Sequence, residues 1–363
     1  MRVGIDGSRL HAGMSGIGRY VAGQLEPLDL VLPDAEFFIY TRARQDLRLP
    51  SARWVERFDD HPISRKFPSV LWTKWRLGSL ARADHLDVFW AANTLFPRNL
   101  ADLPVVTTVY DLNHLLVPES MTIINRHAHR RWFASDVQFA AAAVAISQGT
   151  ADRMLGMMGQ RADAIVRPAI TIQSIRMSTA GVESALRELG VRSPYILAVG
   201  TREPRKNLAS VVESMKRLKR DPAFNDHRLV LAGANGWGTD AVSRASPPWV
   251  QPLGYVSDHQ LVALYTRAEA FVFPSLYEGF GIPVSEARAF GCPVVATDLP
   301  ELREAGDDHV VYVQPTPQAL TDGLRIALAR PRPPARGTGQ ASSMAADALG
   351  QVLVSAAGRG KSA

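Results

Sequence analysis

The segment Phe273-Pro-Ser-Leu-Tyr-Glu278-Gly279-Phe280-Gly281-Ile282-Pro283-Val284-Ser285-Glu286-Ala287 sets two carboxylates around a pair of glycines and a proline. Glycines ahead of a helix let backbone amides approach an anion, and the helix dipole adds attraction for phosphate. Pro283 suits the first turn of that helix, where its missing N–H costs nothing. Neither Glu278 nor Glu286 can bind phosphate itself. Both are suited to accept hydrogen bonds from hydroxyls, as on a sugar or a ribose. The plainer alternative is a glycine turn flanked by two solvated carboxylates. A second segment, Gly200-Thr-Arg-Glu-Pro-Arg205-Lys206-Asn207-Leu208, offers a planar guanidinium and a mobile ammonium side by side, a pair fit for a diphosphate or for a plain basic surface. A third, Asp6 to Tyr20, spaces its glycines G-x-x-G-x-G through Gly13, Gly16 and Gly18. That order differs from the dinucleotide fingerprint G-x-G-x-x-G, so the loop reads as a donor of amides rather than a dinucleotide site.

Each of these loops follows a short apolar run and precedes a helical stretch, the alternation that marks parallel α/β sheets. In the first half, strands are predicted at 2–5, 36–40, 88–90, 105–109 and 143–146. In the second half they are predicted at 195–199, 228–232, 250–253, 270–273, 294–297 and 310–313. Runs such as Val105-Val-Thr-Thr-Val109 are apolar or β-branched throughout, as strands covered on both faces must be. Helices are predicted at 207–220, 259–267 and 283–290. The strand series pauses between Pro168 and Ser193, which predicts an N-terminal domain over 1–170 and a second over 193–330. The Pro/Gly/Ser-rich stretch 331–343 reads as a flexible crossover and 344–356 as a terminal helix, so that 331–363 returns toward the first domain. Two such sheets facing one another would place a site in the cleft beyond their strands' carboxyl ends.

Composition narrows the classes. The chain has 363 residues with 46% hydrophobic and 21% charged, ordinary values for a folded protein that exclude wholesale disorder. The formal net charge is +6, from 41 Lys and Arg against 35 Asp and Glu. The single cysteine, Cys292, excludes an intrachain disulfide and a multi-cysteine metal site. No apolar run approaches the ~20 residues of a membrane-spanning helix, and the N-terminus opens as a strand rather than a leader. A cytoplasmic location is expected.

Taken as an ordered set, the motifs resemble family 4 of the retaining glycosyltransferases, the glycosyltransferase group 1 enzymes with the GT-B fold. The set runs from the loop near Gly16 through Val199-Gly200 to Lys206-Asn207, then Val230-Leu-Ala-Gly233, Leu253-Gly-Tyr255, Glu278 to Glu286 and Gly291-Cys-Pro-Val-Val-Ala296. Val109-Tyr110-Asp111-Leu112 and Thr201-x-Glu-Pro-Arg-Lys-Asn look like the subgroup that builds bacterial polysaccharides, which contains many mannosyltransferases. The resemblance implies two Rossmann-like domains and transfer of a hexose from a nucleotide diphosphate sugar, with GDP-mannose the expected donor. It implies no metal and no cofactor besides that donor substrate. Residue by residue, Arg205 and Lys206 match the pair that neutralises the leaving diphosphate, and Glu278 the carboxylate on the transferred sugar. Gly279 and the backbone of Phe280, Gly281 and Ile282 match the sugar- and phosphate-binding amides, and Glu286 the ribose acceptor. Gly16 matches the loop that closes over the phosphates, and Val256 marks where the base would rest. Asp111 matches the first-domain carboxylate that positions the acceptor or takes its proton, or else caps a strand end. Many members place His where this chain has Tyr110, a side chain that can still donate to a sugar hydroxyl.

The first half also carries two basic stretches. Residues 61–82 hold Arg65, Lys66, Lys74, Arg76 and Arg82 with no acidic residue, interleaved with Phe67, Trp72 and Trp75. The second stretch is Arg126-His-Ala-His-Arg130-Arg131-Trp132. Cations mixed with aromatics suit an anionic membrane surface or a polyprenyl-diphosphate-linked glycan acceptor. The alternative is a core-facing Trp helix with a solvated basic side. Peripheral attachment to the inner face of the cytoplasmic membrane would follow from the first reading, and no nucleic-acid module accompanies either stretch. Three rival functions share parts of this pattern. A UDP-sugar-dependent transferase would share the fold, a dinucleotide-dependent oxidoreductase would share the α/β alternation, and a non-catalytic nucleotide-sugar binder would share the site.

Overall fold

The computed structural model describes residues 1–11, 14, 16–62, 64, 66–100, 102–236, 247–336 and 339–360, the side chains of 339–342 and 360 excepted. The chain divides into two compact units, Met1–Ala169 with Gly339–Ala363, and Ile170–Thr338.

The first unit is built on a seven-stranded, all-parallel sheet in the order β3-β2-β1-β4-β5-β6-β7. Its strands are β1 Arg2–Asp6, β2 Glu36–Thr41, β3 Trp54–Phe58, β4 Val88–Ala91, β5 Val105–Val109, β6 Ala142–Ala145 and β7 Ala164–Ile165. β1, β4 and β5 are central and read as apolar runs because helices cover both faces. The sequence reading lacks β3 and β7, and both lie at sheet edges. β3 is only half buried, so Trp-Val-Glu-Arg-Phe shows polar residues where a central strand would not. Its Trp54 stacks on Phe37 at 3.9 Å, and its indole N–H donates to Asp29 at 2.8 Å.

The helix Gly339–Gly360 belongs to this unit and packs on the helix Gly16–Val31. Ala346, Leu349, Leu353 and Ala356 recur at helical spacing and are fully buried. The helix is longer than the 344–356 expected, because Gly, Ser and Gln at its start do not mark it as helical.

The second unit carries a six-stranded parallel sheet in the order β10-β9-β8-β11-β12-β13. These strands are β8 Tyr195–Val199, β9 Arg228–Ala232, β10 Val250–Gly254, β11 Ala270–Phe273, β12 Val294–Thr297 and β13 Val311–Val313. Chain order runs outward from β8 in one direction and from β11 in the other, so the order reverses between these two neighbours. Ile196, Ala198, Leu229, Leu231, Val272 and Val295 form the core with Val211, Met215, Leu218, Leu320 and Leu324 from flanking helices. Residues 171–192, left between domains in the sequence reading, lie in this unit with Ile170, which that reading gave to the first domain, and they include the helix Thr179–Glu188. The stretch 331–336, expected to be a flexible crossover, is tied down instead. Arg332 donates to Ala268 O and Tyr265 O, both at 2.8 Å, and Arg336 donates to Gly306 O at 2.6 Å. Arginines in a Pro-rich segment look like solvated charge in sequence, whereas here they satisfy helix-end carbonyls.

Candidate active site

The reversal between β8 and β11 is where an open α/β sheet binds ligands beyond the carboxyl ends of its strands. Loop 200–207 leaves β8 and loop 274–281 leaves β11, so pairing of the two strands makes the loops neighbours. Leu276 N–H donates to Arg205 O at 2.9 Å. Asn207 sits at φ 52° and sends its amide to Pro274 O at 3.3 Å and Pro315 O at 3.0 Å. These bonds fix Arg205 and Lys206 against Glu278. Lys206 Nζ lies 2.6 Å from Glu278 Oε1, and Arg205 Nη1 lies 2.9 Å from Glu278 Oε2. Arg205 also donates to Tyr277 O at 2.7 Å and, through Nε and Nη2, to Glu203 Oε1 at 3.0 and 2.6 Å. Gly200, at φ 146°, holds the start of this loop in a backbone conformation that other residues rarely adopt.

Burial would raise the Glu278 pKa, but the Arg205 and Lys206 charges overcome it and hold the carboxyl at about 2. Burial pulls Lys206 below its ordinary value, opposed by Glu278. The site therefore holds two cations and two carboxylates in a nearly dry pocket, one carboxylate shared between both cations. Such an arrangement can accept an anion only if Glu278 yields donors to it.

Glu286 lies one helical turn into Ile282–Ala289 and is buried, with Tyr265 OH donating to Oε2 at 3.1 Å. Gly281 caps this helix at φ 106°, and a Cβ there would stand 2.4 Å from Leu302. Gly279 and Phe280 are buried between Glu278 and that cap, and Ile282 is the first helical residue. Val256 is buried between β10 and the helix Asp258–Arg267. The structure thus brings Arg205, Lys206 and Glu278 together, with Gly279 to Ile282 and Glu286 following along the same loop and helix. Sequence reading did not name Glu203 or Tyr265, which orient Arg205 and Glu286. Glu203 stands inside a motif already singled out, whereas nothing local marks Tyr265.

In the first unit, Gly16 opens the helix Gly16–Val31 and is exposed. Asp111 is bound to its own turn, its Oδ1 accepting from Asn113 N at 3.0 Å and its Oδ2 from Asn113 Nδ2 at 2.6 Å. Tyr110 does not present its hydroxyl to a ligand as expected. The ring is buried edge-on to Tyr20, and its O–H donates to Ala92 O at 2.6 Å. His114 and His129, the latter inside the second basic stretch, lie with ring centroids 5.6 Å apart. Burial depresses both imidazoles to about 4. They are fifteen positions apart, so no spacing rule could have paired them.

The basic stretches divide. Trp72 is fully buried with its indole N–H on Asp59 at 3.0 Å, so it cannot meet a membrane or an acceptor. Lys74 pairs with buried Asp136, and Arg76 pairs with Asp59 at 3.0 Å. Both carboxylates lie outside 61–82, which is why that window looked free of acidic partners. Trp75 is 58% exposed, and Lys66, Arg130 and Arg131 are exposed. Arg65 lies outside the described residues. Among the described residues no three His, Cys, Asp or Glu side chains are placed to hold a metal ion, and no helix is long and apolar enough to cross a membrane.

These are two Rossmann-like α/β units of the GT-B kind, and sucrose-phosphate synthase from Thermosynechococcus elongatus shares the fold. It superimposes with a TM-score of 0.67 over 99% of this chain and 94% of that one, at 16% identity. Residues 187–341 match the model of the glycosyl transferases group 1 family, so the chain carries a glycosyl transferases group 1 domain. The O-antigen chain mannosyltransferase B of Escherichia coli is 29% identical over 244 residues, which cover 65% of this chain and 63% of that protein. A serotype-specific mannosyltransferase, WbdA, of Escherichia coli is 34% identical over 129 residues, covering 33% of this chain and 15% of the relative. The chain thus spans less than two thirds of the length of these relatives.

Proposed function

We propose that the chain is a retaining, metal-independent hexosyltransferase of bacterial cell-surface polysaccharide synthesis. In this reading it moves mannose from GDP-mannose to a lipid-linked glycan. The observation that carries it is the ion cluster Arg205–Glu278–Lys206 beside the Gly279–Ile282 helix start at the β8/β11 reversal. The mannosyltransferase names of the relatives support the sugar and the glycan acceptor.

The donor diphosphate takes the Arg205 and Lys206 donors, and Glu278 turns to the hydroxyls of the hexose. Glu286 accepts from the ribose, and the amides at the helix start face the phosphates. As the bond from the anomeric carbon to the diphosphate oxygen breaks, negative charge grows on that oxygen. Preorganised cations in a water-poor pocket stabilise it more than they stabilise the ground state. The acceptor hydroxyl attacks from the same face, its proton passing to the departing diphosphate, so configuration is retained. Asp111 positions that hydroxyl once it leaves its own turn. The two carboxylates of a retaining hydrolase are a different device, since here neither Glu forms a bond to sugar.

A thermal-shift screen against GDP, UDP, ADP, dTDP and NAD, with and without Mg²⁺, tests the reading, because a ligand that binds only the folded state raises its melting temperature. A selective GDP shift without metal is expected. A UDP shift would keep the site and replace the donor, and a shift with NAD alone would overturn the proposal in favour of an oxidoreductase.

A further inference from the structure

After β5 the first unit makes a short hairpin of helices, Asn113–Leu116 followed by Ile123–Phe139, with the turn Pro118–Ser120 between them. The inner side of this hairpin is sealed, His114 lying 4.2 Å from the Phe133 ring and Ala128, Phe133 and Val137 buried. Its outer tip is not. Leu115, Leu116, Ile123 and Ile124 are 46%, 39%, 67% and 52% exposed. Four large aliphatic side chains within ten residues at a chain reversal lose free energy in water that nothing in this unit recovers. Immediately behind them the long helix turns basic. Arg126, His127 and Arg130 line a cavity of about 280 Å³ with Pro118, whose ring belongs to the tip itself. Exposed Arg131 adds a further cation, and Glu119 is the only acidic residue between Leu112 and Ser135.

An aliphatic apex with cations one or two turns behind it matches the layering of an anionic bilayer, acyl chains below and phosphates above. A stable protein interface would need on the order of 800 Å² per partner, more than four partly exposed aliphatic side chains can supply. We infer that the 113–131 hairpin docks on an anionic phospholipid surface, with Leu115, Leu116, Ile123 and Ile124 among the acyl chains. A headgroup phosphate then sits in the Arg126–His127–Arg130 cavity. This deepens the lipid-linked acceptor of the proposed function and places the membrane contact on the second basic stretch rather than on 61–82, where Trp72 and Lys74 are buried and Arg76 pairs with Asp59. It does not depend on which donor the second unit binds.

The test is co-sedimentation of the full chain with vesicles of phosphatidylcholine alone and of equal parts phosphatidylcholine and phosphatidylglycerol. Binding to the anionic vesicles only is expected. R126A/R130A should weaken it about 25-fold, at roughly five-fold per charge. L115S/L116S/I123S/I124S should abolish it, while I326S, exposed on the second unit, should leave it unchanged. A second readout survives poor folding of the serine variant. Cys292 is buried with its thiol pushed up to about 12, so I123C supplies the reactive thiol for a polarity-sensitive dye. The dye should shift to the blue on anionic vesicles. No sedimentation with either vesicle, equal sedimentation with both, unchanged binding by the arginine variant, or a dye that stays in water while the protein sediments would each overturn the inference.

Discussion

Lys206 Nζ lies 2.6 Å from Glu278 Oε1, joining two loops 72 residues apart in sequence, and both side chains are about nine-tenths buried. With Arg205 on the other carboxylate oxygen, the charges of the site are balanced within it. Removing either partner of a buried pair leaves an uncompensated charge, whereas an incoming anion can exchange with Glu278 at little net cost. This relationship makes the same three residues answerable in stability, binding and turnover.

Lys206→Ala should lower the transfer rate by about 100- to 1,000-fold, the usual loss of one preorganised donor to a developing anion. The fold should persist, because Arg205 still pairs with Glu278. Initial rates with GDP-mannose beside a thermal melt check both halves.

Glu278→Gln should destabilise the protein by about 3–5 kcal/mol, since it leaves buried Lys206 without its carboxylate and Arg205 with Glu203 alone. Saturating GDP should recover most of that loss, so the melting temperature of the variant should rise with GDP more than that of the parent. An equal rise in both would detach the carboxylate from the anion site.

The pH dependence follows from the sign of the Glu278 shift. Its carboxyl is held at about 2 in the folded chain against 4.5 when unperturbed, so the stabilisation is complete above 4.5 and is lost as pH falls toward 2. Urea midpoints from pH 7 to pH 3 should show the advantage of the parent over E278Q shrinking across that acidic window. A constant difference would contradict the shift.

Tyr110→Phe should cost about 1 kcal/mol of stability by stranding the Ala92 carbonyl and should leave KM for the acceptor unchanged. A raised acceptor KM with unchanged stability would return the hydroxyl to substrate binding.

Much of this was legible in the residues themselves. The central strands announce themselves because both faces are apolar, while β3 and β7 are masked by the polarity and brevity of sheet edges. Glu278, Arg205 and Lys206 are legible as site residues because each follows a strand and opens a helix. Their pairing was not, because it depends on β8 and β11 being neighbours, a fact of topology rather than of spacing. The same reason hid Asp59 and Asp136 behind the basic stretch they neutralise. It also hid the exposed aliphatic tip, whose Leu and Ile residues look like core until the packing leaves them outside.

In the proposed reaction Arg205 and Lys206 hold a nucleoside diphosphate in exchange for Glu278. Calorimetric titration of GDP into the parent and into Lys206→Ala, at matched salt and without metal, tests it most directly. One site is expected in the parent, with affinity at least ten-fold weaker in the variant, the loss of one charge-assisted contact. Equal affinity in the two proteins would contradict it.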